Sequence, residues 1–163
     1  MAEFLIRSGT PADGGGAVRA VVAGAFGQPD EVDLVERLHA DGDVVASLVA
    51  EEGGVIIGHV LLSRMRAPFR ALGLAPVSVA QARQGSGVGS ALIREAIRLA
   101  RDADYEVIFV LGEQGYYGRF GFQVEGARGF ASPYAGDLFA VLELCPLSMR
   151  DGAVDYAPAF AAL

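Results

Sequence analysis

Three glycines within five residues, directly before an amphipathic helix pattern, constrain the fold of this chain more than any other feature. The segment is Gln84-Gly85-Ser86-Gly87-Val88-Gly89. Apolar residues then recur at helical spacing at Leu92, Ile93, Ala96, Ile97 and Ala100. Glycine allows positive φ angles and a close approach to the backbone, and the first turn of a helix has free N–H groups. The pattern therefore predicts an anion-binding turn at the N-terminus of a helix.

Strand and helix patterns on both sides of this turn give the order of the elements. "DVVASLVAEEGGVIIGHVLLSRM" predicts a β-hairpin, because its two central glycines suit a tight turn. "LGLAPVSVA" predicts a third antiparallel strand with a bulge or a break in its ladder at Pro76, and "YEVIFVLG" predicts a central strand buried on both faces. The other predicted elements are a strand over 3–8, helices over 10–26 and 29–42, a helical turn in "GYYGRFGF", a strand in "FAVLELC" and a tail that extends or covers the sheet. We therefore expect an α/β fold with a mixed sheet and helices on its faces.

The length and hydrophobicity of the chain suit one globular domain. It has 163 residues, of which 52% are hydrophobic, enough for a sizeable core. We expect a single domain over 1–163, with a core of about 3–145 and a C-terminal extension over 146–163. The sequence lacks an 18-residue apolar run and a signal-peptide pattern, and its heavy use of Ala, Gly and Arg is typical of GC-rich bacterial genomes. A bacterial, cytoplasmic protein is expected.

The charged residues and the cysteine exclude several classes of function. The net charge of -7 has the wrong sign for binding nucleic acid or an anionic membrane. All 13 basic residues are arginine, which excludes a P-loop lysine and a Schiff-base lysine. The one cysteine, Cys145, excludes an internal disulfide and a cysteine-rich zinc site, and no metal is expected. We predict that Cys145 is buried in the last strand.

The glycine turn can be compared with two further phosphate-binding patterns. The dinucleotide-binding pattern G-x-G-x-x-G is matched only in part, because Ser90 stands in place of its third glycine. The pattern Q-x-x-G-x-G is matched in full from Gln84 to Gly89. Here the chain resembles the GNAT superfamily of acyl-CoA-dependent N-acetyltransferases. In that superfamily the motif joins the fourth strand to the long helix, and its amides bind the pyrophosphate of coenzyme A.

Two further segments are similar to the same superfamily. "YYGRFGF" resembles its Y-x-x-x-G-F motif, with Tyr117, Gly121 and Phe122 at the matching positions. "PVSVA" stands where the fourth strand of the family offers free backbone groups to pantetheine, which implies roles for Val77 and Val79. The resemblance implies the GNAT fold, a mixed and mostly antiparallel sheet that is splayed between strands 4 and 5, with helices on both faces.

The resemblance also implies that acetyl-CoA is the co-substrate and that a primary amine attacks its thioester directly in a ternary complex. Arg83 adjoins the glycine turn and Arg119 lies in the second motif, so either is a candidate to pair with CoA phosphates. The residues implied for CoA binding are Val77, Val79, Arg83, Gln84, Gly85, Ser86, Gly87, Val88, Gly89, Ser90 and Arg119.

A tyrosine and a histidine are the candidates for proton transfer. By the same resemblance, Tyr117 would protonate the departing CoA thiolate, since tyrosine holds its proton at neutral pH. Tyr116 is the alternative, because adjacent helical residues point about 100° apart and only one can face the thioester. The strand "PVSV" has no carboxylate to serve as a base. A water chain and His59 both remain open as the proton acceptor.

The amine acceptor is a small molecule or a peptide in this interpretation. The family's acceptor regions correspond to "FGQPDE" and "FASPYAGD", which give Phe26, Gln28, Asp30, Glu31, Tyr134 and Asp137 as lining candidates. An alternative function is a non-catalytic acyl-CoA sensor or partner-binding module on the same fold, which the missing base favours. Monomer and homodimer are both compatible with the sequence.

Overall fold

The computed structural model describes residues 3–10, 13 and 16–162. Its main sheet contains β1 (Leu5–Ser8), β2 (Val44–Glu52), β3 (Val55–Arg64), β4 (Ala71–Val79), β5 (Val107–Leu111) and, after the short strand β6 (Phe130–Ala131), β7 (Phe139–Glu143). The strand order is β1-β2-β3-β4-β5-β7. The pair β4–β5 is parallel and the other neighbouring pairs are antiparallel. The predicted mixed, mostly antiparallel sheet is confirmed.

Helices cover both faces of this sheet, as predicted. The helices α1 (Ala17–Phe26) and α2 (Asp30–Ala40) pack on one face, and α3 (Val88–Asp102) packs on the other. The short helices α4 (Gln114–Tyr117) and α5 (Val124–Ala127) connect β5 to β7. Of the helix predicted over 10–26, residues 11, 12, 14 and 15 lie outside the described residues.

The helices α2 and α3 follow from local patterns in the sequence. In α2, Val32, Leu34, Val35 and Leu38 are the buried residues, and three acidic residues in its first turn face the positive end of the helix dipole. In α3 the buried residues are Val88, Leu92, Ile93, Ala96, Ile97 and Ala100. Within the described ranges, no helix has the length and apolar character needed to cross a membrane.

The C-terminal tail packs into the hydrophobic core on the α1–α2 face. Val154, Tyr156 and Phe160 are buried there, after β8 (Gly152–Ala153), which pairs with β6. The Tyr156 ring lies directly on β4, because a Cβ added to Gly73 would stand 2.7 Å from it. The tail therefore covers the sheet, one of the two predicted arrangements. The prediction for Cys145 is wrong, since β7 ends at Glu143 and the cysteine is exposed beyond it.

Candidate active site

The strands β4 and β5 separate after a short paired segment. Residues Ala71–Gly73 pair with Val107–Phe109, whereas the rest of β4 pairs only with β3. The separation begins at a bulge, where Ala75 and Pro76 lie opposite the single residue Leu61 of β3. Of the bulge or break predicted at Pro76, the structure has the bulge, and the predicted splay is confirmed. The splay begins after Phe109, so Val107 lies in the paired part of β5.

The free edge of β4 directs backbone groups into this opening. The N–H of Ala80 donates to the carbonyl oxygen of Ile57 on β3 at 2.8 Å. Successive strand residues direct their backbone groups to alternate sides, so those of Val77 and Val79 point toward the opening. The side-chain amide of Gln84 donates to the Val79 carbonyl oxygen at 3.1 Å, which joins the glycine turn to the end of the strand.

The glycine turn has the conformation that its sequence predicts. Gly85 and Gly87 have φ angles of 79° and 90°, in the left-handed region that favours glycine. Gly87 is the N-cap residue of α3. Among the described residues, Ala91 is the first of this helix whose N–H has an acceptor, the Gly87 carbonyl oxygen at 3.0 Å. The N–H groups of residues 88–90 therefore face outward at the positive end of the helix dipole.

The hydroxyl of Ser86 and the guanidinium of Arg83 stabilise the turn from within the chain. Ser86 Oγ donates to the Arg83 carbonyl oxygen. Arg83 Nε donates to Glu52 Oε1 at 2.7 Å, and its Nη2 contacts the same oxygen. The guanidinium that the sequence suggested for a CoA phosphate is thus paired with a carboxylate at the end of β2.

The guanidinium of Arg119 lies beside the first turn of α3. It stacks over the Tyr116 ring at 4.6 Å from the ring centre, and its Nη2 lies 3.4 Å from Ser90 Oγ. Arg94 stacks on Phe120 at 5.0 Å and shares a small cavity with Arg119. Arg94 was not among the predicted site residues, although its position one helical turn after Ser90 places it on the same side of α3.

The two adjacent tyrosines point to different places. Tyr116 Oη lies near the glycine turn, because a Cβ added to Gly89 would stand 3.0 Å from it. The ring of Tyr117 lies against Gly112, the residue that follows β5, and edge-on to Phe122 at a centroid distance of 5.9 Å. Burial raises the pKa of Tyr117 to about 12. Its hydroxyl therefore keeps its proton at neutral pH.

His59 is buried under α1 and α2, away from solvent. It lies on β3 two residues from Leu61, so both side chains point to the same face of the sheet. Its Nε2 lies 3.0 Å from Ser47 Oγ, while its Nδ1 has no hydrogen-bond partner among the described residues. Burial, and secondarily the charge of His39, lowers the pKa of His59 to about 4. His59 lies opposite Ser78 of β4, so the strand β4 separates His59 from the opening.

The candidate acceptor residues fall into two groups. Near the start of α2, Gln28 Nε2 donates to Glu31 Oε1 at 3.1 Å. In the segment before β7, the Tyr134 ring meets Tyr156 edge-on at 5.1 Å, and Asp137 is exposed. The remaining candidates are Phe26, which is exposed, and Asp30, the first residue of α2. In the described part of the chain, no group of three or more His, Cys, Asp or Glu side chains is arranged to hold a metal ion.

Comparison with known proteins decides the family. Residues 18–122 match the model of the acetyltransferase (GNAT) family. The chain belongs to the GNAT family. Its relatives include two uncharacterized N-acetyltransferases of Escherichia coli strain K12. YjhQ is 38% identical, over 72% of this chain and 69% of YjhQ, and YhbS is 32% identical, over 74% of each chain.

Solved GNAT structures have the same arrangement over nearly the whole chain. The structure of Escherichia coli YhbS in complex with CoA has a TM-score of 0.91 at 27% identity, covering 99% of this chain and 93% of YhbS. A GNAT family acetyltransferase from Brucella melitensis in complex with acetyl-CoA has a TM-score of 0.84 at 34% identity, covering 98% of this chain and 99% of that protein. The resemblance inferred from the motifs is thereby confirmed at the level of family and fold.

Proposed function

We propose that the protein transfers the acetyl group of acetyl-CoA to a primary amine. The observation that carries this proposal is the opening between β4 and β5, with the free edge of β4 on one side and the glycine turn at its end. Two similar GNAT structures support it, because they contain CoA and acetyl-CoA respectively.

In this proposal the glycine turn binds the pyrophosphate of CoA. The outward N–H groups of residues 88–90, with those of Gly85 and Gly87, supply donors and a positive helix end. The absence of Cβ atoms lets the phosphates approach the backbone. Arg119 adds a positive charge beside Ser90, whereas Arg83 is already paired with Glu52. We therefore assign direct phosphate contact to Arg119 and a positioning role to Arg83.

The pantetheine chain would lie along the free edge of β4. Its amides can hydrogen-bond to the backbone of Val77 and Val79 as an added strand would. Such binding fixes the thioester in the opening and makes the reaction with a bound amine effectively unimolecular. The N–H of Val79 would stabilise the negative charge that develops on the thioester oxygen.

The chemical step needs one proton donor and one proton acceptor. The amine nitrogen attacks the thioester carbon, the carbon–sulfur bond breaks, and the CoA sulfur takes a proton from Tyr117 Oη. The proton that the amine loses then returns to Tyr117 through water, which restores its hydroxyl. Tyr117 suits this role because it is protonated at neutral pH and lies where β5 ends at the opening. We assign removal of the amine proton to water in the opening, since His59 is buried under α1 and α2. The amine itself is a small-molecule or peptide amine.

The alternative of a non-catalytic acyl-CoA sensor is favoured by one observation, the burial of His59, the side chain considered as the proton acceptor. A panel of primary amines with acetyl-CoA, followed by detection of released CoA thiol, tests the two functions. Transfer predicts thiol release that depends on a particular amine and yields its N-acetyl derivative. Acetyl-CoA binding with no amine-dependent release across small-molecule and peptide amines would overturn the transferase proposal and favour the sensor.

A further inference from the structure

A second cavity lies on the α1–α2 face of the sheet, beside β1 and β2. Its volume is about 440 Å³, within the range of small-molecule sites. Its floor includes Ser47 of β2, and β2 is separated from β4 by β3. Two strand spacings put this floor about 10 Å from β4. The cavity is therefore separate from the opening between β4 and β5.

The walls of the cavity are aliphatic. Val18 and Val22 of α1 face Val32 and Val35 of α2 across it, and all four are buried in the protein core. Branched aliphatic walls favour an apolar occupant, because filling the cavity removes apolar surface from water. The body of a ligand at this site is therefore aliphatic and compact.

The rim of the cavity carries opposite charges that pair with each other. Arg19 and Glu36 line the rim from α1 and α2, and their side chains form an ion pair. His39 lines the same rim and is exposed. The rim thus presents no excess of one charge to an entering molecule.

Two uncharged hydroxyl side chains line the cavity, Ser47 at the floor and Thr10, which is exposed and donates its hydroxyl hydrogen to Asp13 Oδ2 at 3.0 Å. Ser47 is therefore the hydroxyl available to a ligand at the floor. The N–H of Gly9 donates to the Ser47 carbonyl oxygen at 2.8 Å, and a Cβ at Gly9 would stand 3.1 Å from Ser47 Oγ. Ser47 Oγ is bonded to buried His59, and a hydroxyl that makes one such bond can still make another to a ligand. His59 is neutral at physiological pH, so the floor supplies no counter-charge, and a charged ligand group there would be buried unpaired.

We propose that this cavity binds a small neutral molecule with a compact aliphatic body and one terminal hydroxyl or amide group, which hydrogen-bonds to Ser47. The proposal does not depend on acetyl transfer. It names a binding site on the β1–β2 side of the α1–α2 face, with the polar group of the ligand at the sheet and its aliphatic body between the helices.

The two histidines of the chain provide a direct test. His39 lines the rim and His59 lies behind the floor, so 15N-histidine NMR reports on the cavity without an activity assay. Titration with 1-pentanol should shift the ring resonances of His59 saturably. Pentanoate and pentylammonium, which have the same chain length with a charged end, should bind at least tenfold more weakly. Equal binding of the three probes would overturn the proposal.

Substitutions distinguish the contribution of the aliphatic walls to 1-pentanol binding from that of Ser47 at the floor. Val35→Phe should abolish the 1-pentanol shift by filling the cavity, whereas Val55→Phe at an exposed valine outside the lining should not. Ser47→Ala should weaken 1-pentanol binding about threefold to tenfold through loss of one hydrogen bond. Ser63→Ala removes a buried hydroxyl on β3 outside the lining and should leave binding unchanged.

If Val35→Phe does not fold, the affinities of Ser47→Ala and Ser63→Ala for 1-pentanol test the proposal. Equal affinities of these two variants would overturn it.

Discussion

Ser47 Oγ and His59 Nε2 lie 3.0 Å apart on the adjacent strands β2 and β3, under the helices α1 and α2. This contact satisfies one ring nitrogen of a histidine that is fully buried, while Nδ1 has no partner in the described part of the chain. A neutral ring fits this site better than a charged one, because the surrounding core solvates a cation poorly. Protonation of His59 therefore opposes folding.

The buried His59 should make the protein less stable in mild acid. Its pKa is lowered from 6.5 to about 4 on folding. Between these values the unfolded chain takes up a proton that the folded protein excludes, so the free energy of unfolding falls as the pH falls, by up to about 1.4 kcal/mol per pH unit. Above pH 6.5 this contribution is constant.

Urea denaturation from pH 4 to 7 measures this effect. The His59→Gln variant should lose less stability than the wild type across the window, whereas His39→Gln should keep most of the wild-type loss, because burial and not the charge of His39 is the main cause of the lowered pKa of His59. Parallel curves for the wild type and His59→Gln would show that His59 does not titrate as its burial requires.

Tyr117→Phe should reduce kcat by about 10²-fold while the affinity for acetyl-CoA stays the same. The hydroxyl is assigned to protonating the sulfur, and general acid catalysis contributes factors of about 10²–10⁴. Stopped assays of CoA thiol release and calorimetric binding of acetyl-CoA measure the two quantities. Tyr116→Phe is the matched control, because its hydroxyl lies at Gly89 and not at the end of β5. If the losses are reversed between the two variants, Tyr116 is the acid.

Gly87→Val should weaken acetyl-CoA binding by at least tenfold. A branched side chain at this residue strains the left-handed backbone and stands in the approach to the outward N–H groups. Gly54→Val is the control, since Gly54 has a φ angle of 81° in the β2–β3 turn and likewise has open space around it. Both variants should lose stability, and only Gly87→Val should lose affinity. Wild-type affinity in folded Gly87→Val would contradict the assignment of the turn.

Glu52→Gln should strengthen acetyl-CoA binding modestly. Removing this carboxylate leaves the charge of Arg83 unpaired beside the glycine turn, and partly exposed ion pairs are worth about 0.2–1 kcal/mol, or roughly 1.4-fold to fivefold in Kd. The gain should vanish in 1 M salt, where charges are screened within about 3 Å. Glu51→Gln is the matched control, because Glu51 pairs with Arg7. A weaker complex in Glu52→Gln would mean that Glu52 matters for holding Arg83 in place and not for masking its charge.

Comparison of particular residues shows why some features could be predicted and others could not. The hairpin turn of β2 and β3, the bulge at Pro76 and the N-cap of α3 at Gly87 follow from residues that are adjacent in sequence. The burial of Cys145 was predicted wrongly because the apolar residues before it do not show where β7 stops pairing with β5, which is at Glu143. The tail around Tyr156 could be predicted only as one of two arrangements, because its partner Gly73 lies 83 residues earlier.

The sequence by itself determined the order of the elements, the left-handed glycines before α3 and the match to the GNAT motifs. These features could be predicted because positive φ angles and helical spacing depend on residues that are close together in the chain. Only the tertiary structure decided that Arg83 pairs with Glu52 and that His59 is buried with its Nε2 against Ser47 Oγ. It also decided that the Tyr117 ring packs on Gly112, while the Tyr116 hydroxyl lies at Gly89. These depend on side chains from separate strands and helices meeting in one place, where burial and pairing set the charge and the reach of each group.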